Sequence, residues 1–203
     1  QFMFDGYAPI ECCFGLDSVV DSLCLDHHND YWDLEPVSIR AYRDHYGVRT
    51  QDSRIVVTPS ADLDATFAAA SIAGLLPHPK HKWASSQAIY ARDMTRLAQM
   101  VARRDDEPLF TLPLGRDLHG KMIATWEYRR KQAKSLTAFW QCVWLWYEVT
   151  TQLRVEDLRQ GAEGYLRDQT ERIKRAQAVN IDKMGDYVGL VSSQSWGFDQ
   201  WLQ

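Results

Sequence analysis

The chain has 203 residues and a formal net charge of −4, with 45% hydrophobic and 25% charged residues. That balance belongs to an ordinary soluble globular protein with a sizeable core, and it excludes a disordered or low-complexity chain. The acidic sign excludes a global basic field of the kind that holds nucleic acid or anionic membrane, and leaves room only for local basic patches.

Four cysteines (Cys12, Cys13, Cys24 and Cys142) show no C-x-x-C spacing and no disulfide-scaffold density, so they are expected as reduced, mostly buried thiols of a cytoplasmic protein. The chain opens on Gln rather than Met and shows no secretory leader, so further N-terminal residues are expected before it. The longest apolar stretch, Leu136 to Val149, is shorter than the roughly 20 residues a membrane span needs and is expected as a buried helix.

In chain order, Phe2–Phe4 before Asp5 and Gly6 predicts a short strand and turn, Leu23–Leu25 a second strand, and the alternation over Val37–Tyr42 a third. Arg54–Thr58 predicts a fourth, with Ile55, Val56 and Val57 consecutive as in a strand buried on both faces. The small-residue run from Ala65 predicts a helix, with Asp62 or Asp64 near its N-terminus and Gly74 to Pro77 stopping it. From Trp83 the pattern turns helical. Ala84–Arg104 carries Ile89, Met94, Leu97, Met100 and Val101 at helical spacing, and Asp105 to Pro108 breaks it. Leu109–Leu114 predicts a short strand or extended linker, Leu118–Leu153 one or two helices rich in Trp and Tyr, and Val155–Ala178 a charged amphipathic helix. Asp186–Val191 predicts a strand returning to the core, before an aromatic tail at Trp196–Trp201.

These elements predict an α/β fold, with a mainly parallel sheet in the N-terminal part and a helical cap or subdomain in the C-terminal part. The expected division places an α/β metal-binding core at residues 1–82 and a predominantly helical part at 83–203.

The chemistry-bearing residues stand where two of those strands end. Leu23–Leu25 runs into Asp26, His27 and His28, and Arg54–Thr58 runs toward Asp62 and Asp64. In an open α/β sheet, ligands bind outside the carboxyl ends of parallel strands, so two such ends can build one site. Carboxylate and imidazole donors together suit Mn²⁺, Mg²⁺, Fe or Zn²⁺, and the missing thiolate spacing argues against structural zinc. Two ions held by such a set can activate water and neutralise charge on a phosphoryl group.

The run Leu23-Cys24-Leu25-Asp26-His27-His28 resembles the signature of the DHH phosphoesterase superfamily, and the run from Val56 through Asp62 and Asp64 to Ala70 is similar to that family's strand, Asp-x-Asp, helix motif. The resemblance implies a metal-dependent phosphoesterase using one or two Mn²⁺ or Mg²⁺ ions. It implies that His27, Asp62 and Asp64 are metal ligands, that Asp26 supports the metal site, and that His28 faces the substrate phosphate as the catalytic imidazole. The order departs from the family: Asp-x-Asp follows Asp-His-His here, and the family's bridging acid and glycine- and histidine-rich motif have no match. A rearranged, divergent or inactive relative would each explain that pattern. Asp5, after the first strand, is the candidate for a missing metal ligand. Arg116 and Lys121, in a glycine-flanked basic stretch, are candidates to hold the phosphate from the helical part. The expected substrates are small phosphate esters, nucleotides or short oligonucleotides.

Simpler accounts of the same residues stand beside this one. Asp26 to Asp30 can be a polar turn, and Asp62 to Asp64 a helix cap. His45 reads as part of a turn, His78 to Lys82 as a solvated linker, and Gly115 to Lys121 as a helix start. On that reading the protein is a non-catalytic α/β protein that forms a homodimer or partner complex through its Trp-rich helices. The aromatic set Phe139, Trp140, Trp144, Trp146 and Tyr147 fits core packing or a subunit interface better than single-strand nucleic-acid stacking.

Overall fold

The computed structural model describes residues 7–10, 35–44, 46–47, 54–57, 61–79, 93–107, 110–131, 138–177, 181–184 and 187–190. Six α-helices dominate them: α1 (Val37–Asp44), α2 (Leu63–Ile72), α3 (Met94–Asp106), α4 (Leu118–Arg130), α5 (Ala138–Tyr147) and α6 (Val155–Gln177). A π-helical turn, Glu148–Gln152, follows α5 directly. Four four-residue strands complete the set: β1 (Tyr7–Ile10), β2 (Arg54–Val57), β3 (Ile181–Met184) and β4 (Tyr187–Leu190).

This overturns the expected α/β class: the described molecule is a helical assembly. β1 pairs in parallel with β2, from Tyr7 against Arg54 to Ile10 against Val57, and that pair is a complete two-stranded sheet among the described residues. β4 pairs antiparallel with β3 in a separate two-stranded sheet, with Tyr187 against Met184. The expected strand at Val37–Tyr42 is α1. Its six residues fit either period, and the burial pattern shows which one holds, because Val37, Ser38, Ala41 and Tyr42 are the buried set and form one helical face. Pro36 presets the first turn, and its carbonyl accepts from the N–H groups of Ile39 and Arg40. The expected strands at Phe2–Phe4 and Leu23–Leu25 lie outside the described residues.

The helix expected from Ala65 is present as α2, and every one of its ten residues is buried. Ala, Thr and Ser let neighbouring backbones approach from several sides, so α2 is the hub: α1, α3 and α5 all pack on it. It ends in a Schellman motif. Gly74 adopts φ +68°, its N–H donates to Ser71 O, and the Leu75 N–H donates to Ala70 O.

The core is continuous across both sides of residue 82. Ser38 Oγ of α1 donates to Ala98 O of α3 at 3.2 Å, and the Trp146 indole of α5 donates to Thr66 Oγ1 of α2 at 3.1 Å. Trp146 stacks on Trp126 of α4 with centroids 5.1 Å apart, while Phe67 meets Trp146 edge-on. Between α4 and α6 the backbones approach closely because α6 carries glycines there. A Cβ on Gly161 would collide with the Thr125 side chain, and one on Gly164 would lie 2.7 Å from the Tyr128 ring. No helix among the described residues is long and apolar enough to cross a membrane.

Candidate functional site

The Asp62–Asp64 stretch follows β2 and opens α2, and each acid meets backbone N–H groups at a helix start. Asp62 is the N-cap of α2, with extended backbone (φ −76°, ψ 174°), and its carboxylate accepts from the Ala65 N–H at 2.8 Å. The Thr66 hydroxyl closes the same turn by donating to the Asp62 carbonyl. Asp62 is half-buried.

Asp64 is fully buried, and its carboxylate reaches a different helix. Oδ2 accepts from the Val37 N–H and Oδ1 from the Ser38 N–H, each at 3.0 Å, at the N-terminus of α1. Pro36, in the cap position, has no side-chain acceptor, so a residue 26 positions beyond Ser38 supplies the cap. The negative charge sits at the positive end of α1. This bidentate anchor fixes α1 and α2 to each other.

The platform beneath this loop is aromatic. Thr66, one turn into α2, accepts from Trp146, which stacks on Trp126. Over the Trp126 ring, 5.3 Å from its centroid, lies the guanidinium of Arg130, the last residue of α4. Arg130 donates to the carbonyl of Ala61 at 3.1 Å, immediately before Asp62, and its side chain is exposed. Its charge is felt at the buried Cys142 thiol, which burial pushes above the ordinary cysteine value while Arg130 pulls the other way. Nothing in the local sequence marks Arg130. The Arg129-Arg130-Lys131 run at a helix end looks like ordinary dipole compensation, and only tertiary packing carries it to Ala61.

The other candidates lie elsewhere. Asp26, His27, His28 and Asp5 fall outside the described residues, as does His45. Arg116 is exposed and Lys121 half-buried at the start of α4. That stretch is a capped helix start: Asp117 accepts from the His119 N–H at 2.9 Å and the Gly120 N–H at 3.3 Å, and pairs with Arg96. Burial lowers the His119 imidazole below its ordinary value, against the opposing pull of Asp117 and Asp93. His78, expected in a solvated linker, is buried and stacked on the Tyr46 ring at 4.0 Å. Of the aromatic set on α5, Phe139 and Trp146 are in the core, whereas Trp140 and Trp144 are exposed.

In donor chemistry Asp62 and Asp64 fit a hard divalent cation such as Mn²⁺ or Mg²⁺. Among the described residues, no three His, Cys, Asp or Glu side chains converge closely enough to hold one. The remainder of the implied donor set, His27 above all, lies outside them. Comparison of the chain with protein-family models, with curated proteins and with solved structures finds no match.

Proposed function

We propose that the protein is a metal-dependent phosphoesterase acting on a small phosphate ester, nucleotide or short oligonucleotide in the cytoplasm. The observation that carries this reading is the fully buried carboxylate of Asp64, two residues beyond Asp62 and just after a parallel strand. Two main-chain N–H groups hold this buried acid, and such bonds favour the ionised form of a carboxylate. Asp62 and Asp64, together with His27, would hold one or two Mn²⁺ or Mg²⁺ ions. A bound divalent ion supplies water activation and neutralisation of phosphoryl charge.

The chain's own residues set up the rest. The Val37 and Ser38 N–H groups fix the Asp64 carboxylate plane, and the Trp146–Thr66 bond holds the first turn of α2 against the core. His28 would face the phosphate and offer a proton to the leaving oxygen.

A second reading has a specific observation behind it. Both acids already cap helices, which is a sufficient structural role for each. On that reading the protein is non-catalytic and associates through α5, where Trp140 and Trp144 are 40% and 54% exposed. The deciding experiment is turnover of a chromogenic phosphodiester by the purified protein with and without Mn²⁺. The phosphoesterase reading expects Mn²⁺-dependent turnover that Asp64→Asn abolishes while the helical circular dichroism is kept. Turnover that survives Asp64→Asn, or no turnover with Mn²⁺, contradicts it.

A further inference from the structure

We propose that Arg130 is the phosphate-binding residue of the Asp62–Asp64 site, the ligand being the oxyanion of a phosphate ester. The inference rests on the phosphoesterase reading for its substrate class, and on the geometry of Arg130 for its location. Arg130 is brought from α4 to the residue preceding Asp62, across 69 positions of sequence. Two contacts hold it there: one N–H donates to the Ala61 carbonyl, and the guanidinium lies over Trp126 within cation–π range. A guanidinium carries five donors in a rigid fork, so one bond to a carbonyl leaves a fork that matches two phosphate oxygens.

The support beneath it is rigid. Trp126 is fully buried, its indole N–H donates to Cys142 O at 2.9 Å, and it stacks on Trp146. An exposed arginine on a buried aromatic base, bonded to the carbonyl of the residue preceding Asp62, sets its guanidinium at the start of the helix that carries the two acids. Arg116 and Lys121 serve less well, because they lie at the opposite end of the same helix. α4 rises about 1.5 Å per residue, so thirteen residues set its two ends roughly 18 Å apart.

The test is equilibrium binding of inorganic phosphate to the full chain, with and without Mn²⁺, for wild type, Arg130→Met and Arg130→Lys, alongside Mn²⁺ uptake by each. Methionine keeps an apolar stem over Trp126, and lysine keeps the charge without the fork. The expected result is phosphate binding weakened about tenfold or more by Arg130→Met and by less in Arg130→Lys, with Mn²⁺ uptake unchanged. In a Mn²⁺-loaded turnover assay the loss should fall on KM more than on kcat for Arg130→Lys. Equal phosphate affinity in wild type and Arg130→Met, with thermal melts showing both folded, overturns the assignment and leaves the metal site standing. Absence of phosphate binding by wild type overturns it as well. Arg130-dependent phosphate binding without Mn²⁺ uptake upholds the assignment and removes the phosphoesterase reading.

Discussion

Two buried carboxylates in this molecule are stabilised in opposite ways. Asp64, at the α1–α2 contact, is held by main-chain N–H groups at a helix start. Glu127, on α4, is held by Arg104 of α3, whose Nε donates at 2.8 Å while its other nitrogens reach Phe110 O and Tyr165 Oη. Burial and the nearby Glu127 charge push the Tyr165 phenol above its ordinary value. In the second case the charge is cancelled by an opposite charge that ties three helices together. In the first, two main-chain N–H groups orient the carboxylate. The difference teaches that one fold uses two kinds of rivet: a carboxylate paired with a guanidinium, and a carboxylate that caps a distant helix.

The largest effect should come from cutting the paired rivet. Glu127→Ala leaves the Arg104 guanidinium without its paired carboxylate, its side chain only 22% exposed. The expected loss is about 2–3 kcal/mol in denaturant unfolding, below the value for a wholly buried pair because Arg104 is partly hydrated. A loss under about 0.5 kcal/mol would show that water already screens the pair.

Next comes the capping carboxylate. Asp64→Ala strips two N–H groups of their acceptor at the start of α1 and should cost about 2 kcal/mol. Asp64→Asn, which keeps one acceptor oxygen, should cost less. Val37 and Ser38 hold the one carboxylate and Arg104 the other, so the Glu127→Ala, Asp64→Ala double variant should lose the sum of the single losses to within about 0.5 kcal/mol. A larger departure would mean that the two helix groups are coupled through α3.

Smaller still is Asp62→Ala, which removes a half-exposed N-cap and should cost about 1 kcal/mol. The comparison sharpens if this mild variant nonetheless loses Mn²⁺-dependent turnover, since capping alone does not connect the two effects. A last and modest effect is in pH. His119 has a folded value below its unfolded one because of burial. As pH falls below about 6.5 the unfolded chain takes up a proton that the folded chain resists, so this imidazole's contribution to stability falls there and levels off below the folded value. His119→Gln should flatten that part of the stability profile. An unchanged slope would assign the pH dependence to other groups.

What could be read in the sequence tracks how local each cause is. β2 and α2 are legible, because Ile55–Val57 is β-branched and Gly74 is the residue a Schellman stop requires. The apolar period over Ala84–Arg104 is matched by α3 from Met94 onward, the first part of that stretch lying outside the described residues. The stretch expected to hold one or two helices holds α4 and α5, and the charged run from Val155 is α6. α1 was misread as a strand, and the α/β class with it. Six alternating residues carry no decisive period, and the cap that completes this helix comes from Asp64, 27 positions beyond Val37. The candidate site divides the same way. Two acids after a strand are visible in any reading of the chain, but that one caps its own helix and the other a different one is a fact of packing. Arg130 was illegible for the same reason: nothing near it in sequence points to Ala61.

The most direct test of the central claim, that Asp64 remains competent to hold a cation while it anchors α1, is an electron paramagnetic resonance titration of the full chain with Mn²⁺. The account predicts one or two bound ions per chain in wild type and loss of that binding in a folded Asp64→Asn variant. Free Mn²⁺ signal undiminished by wild-type protein, or binding that is the same in both, would contradict it.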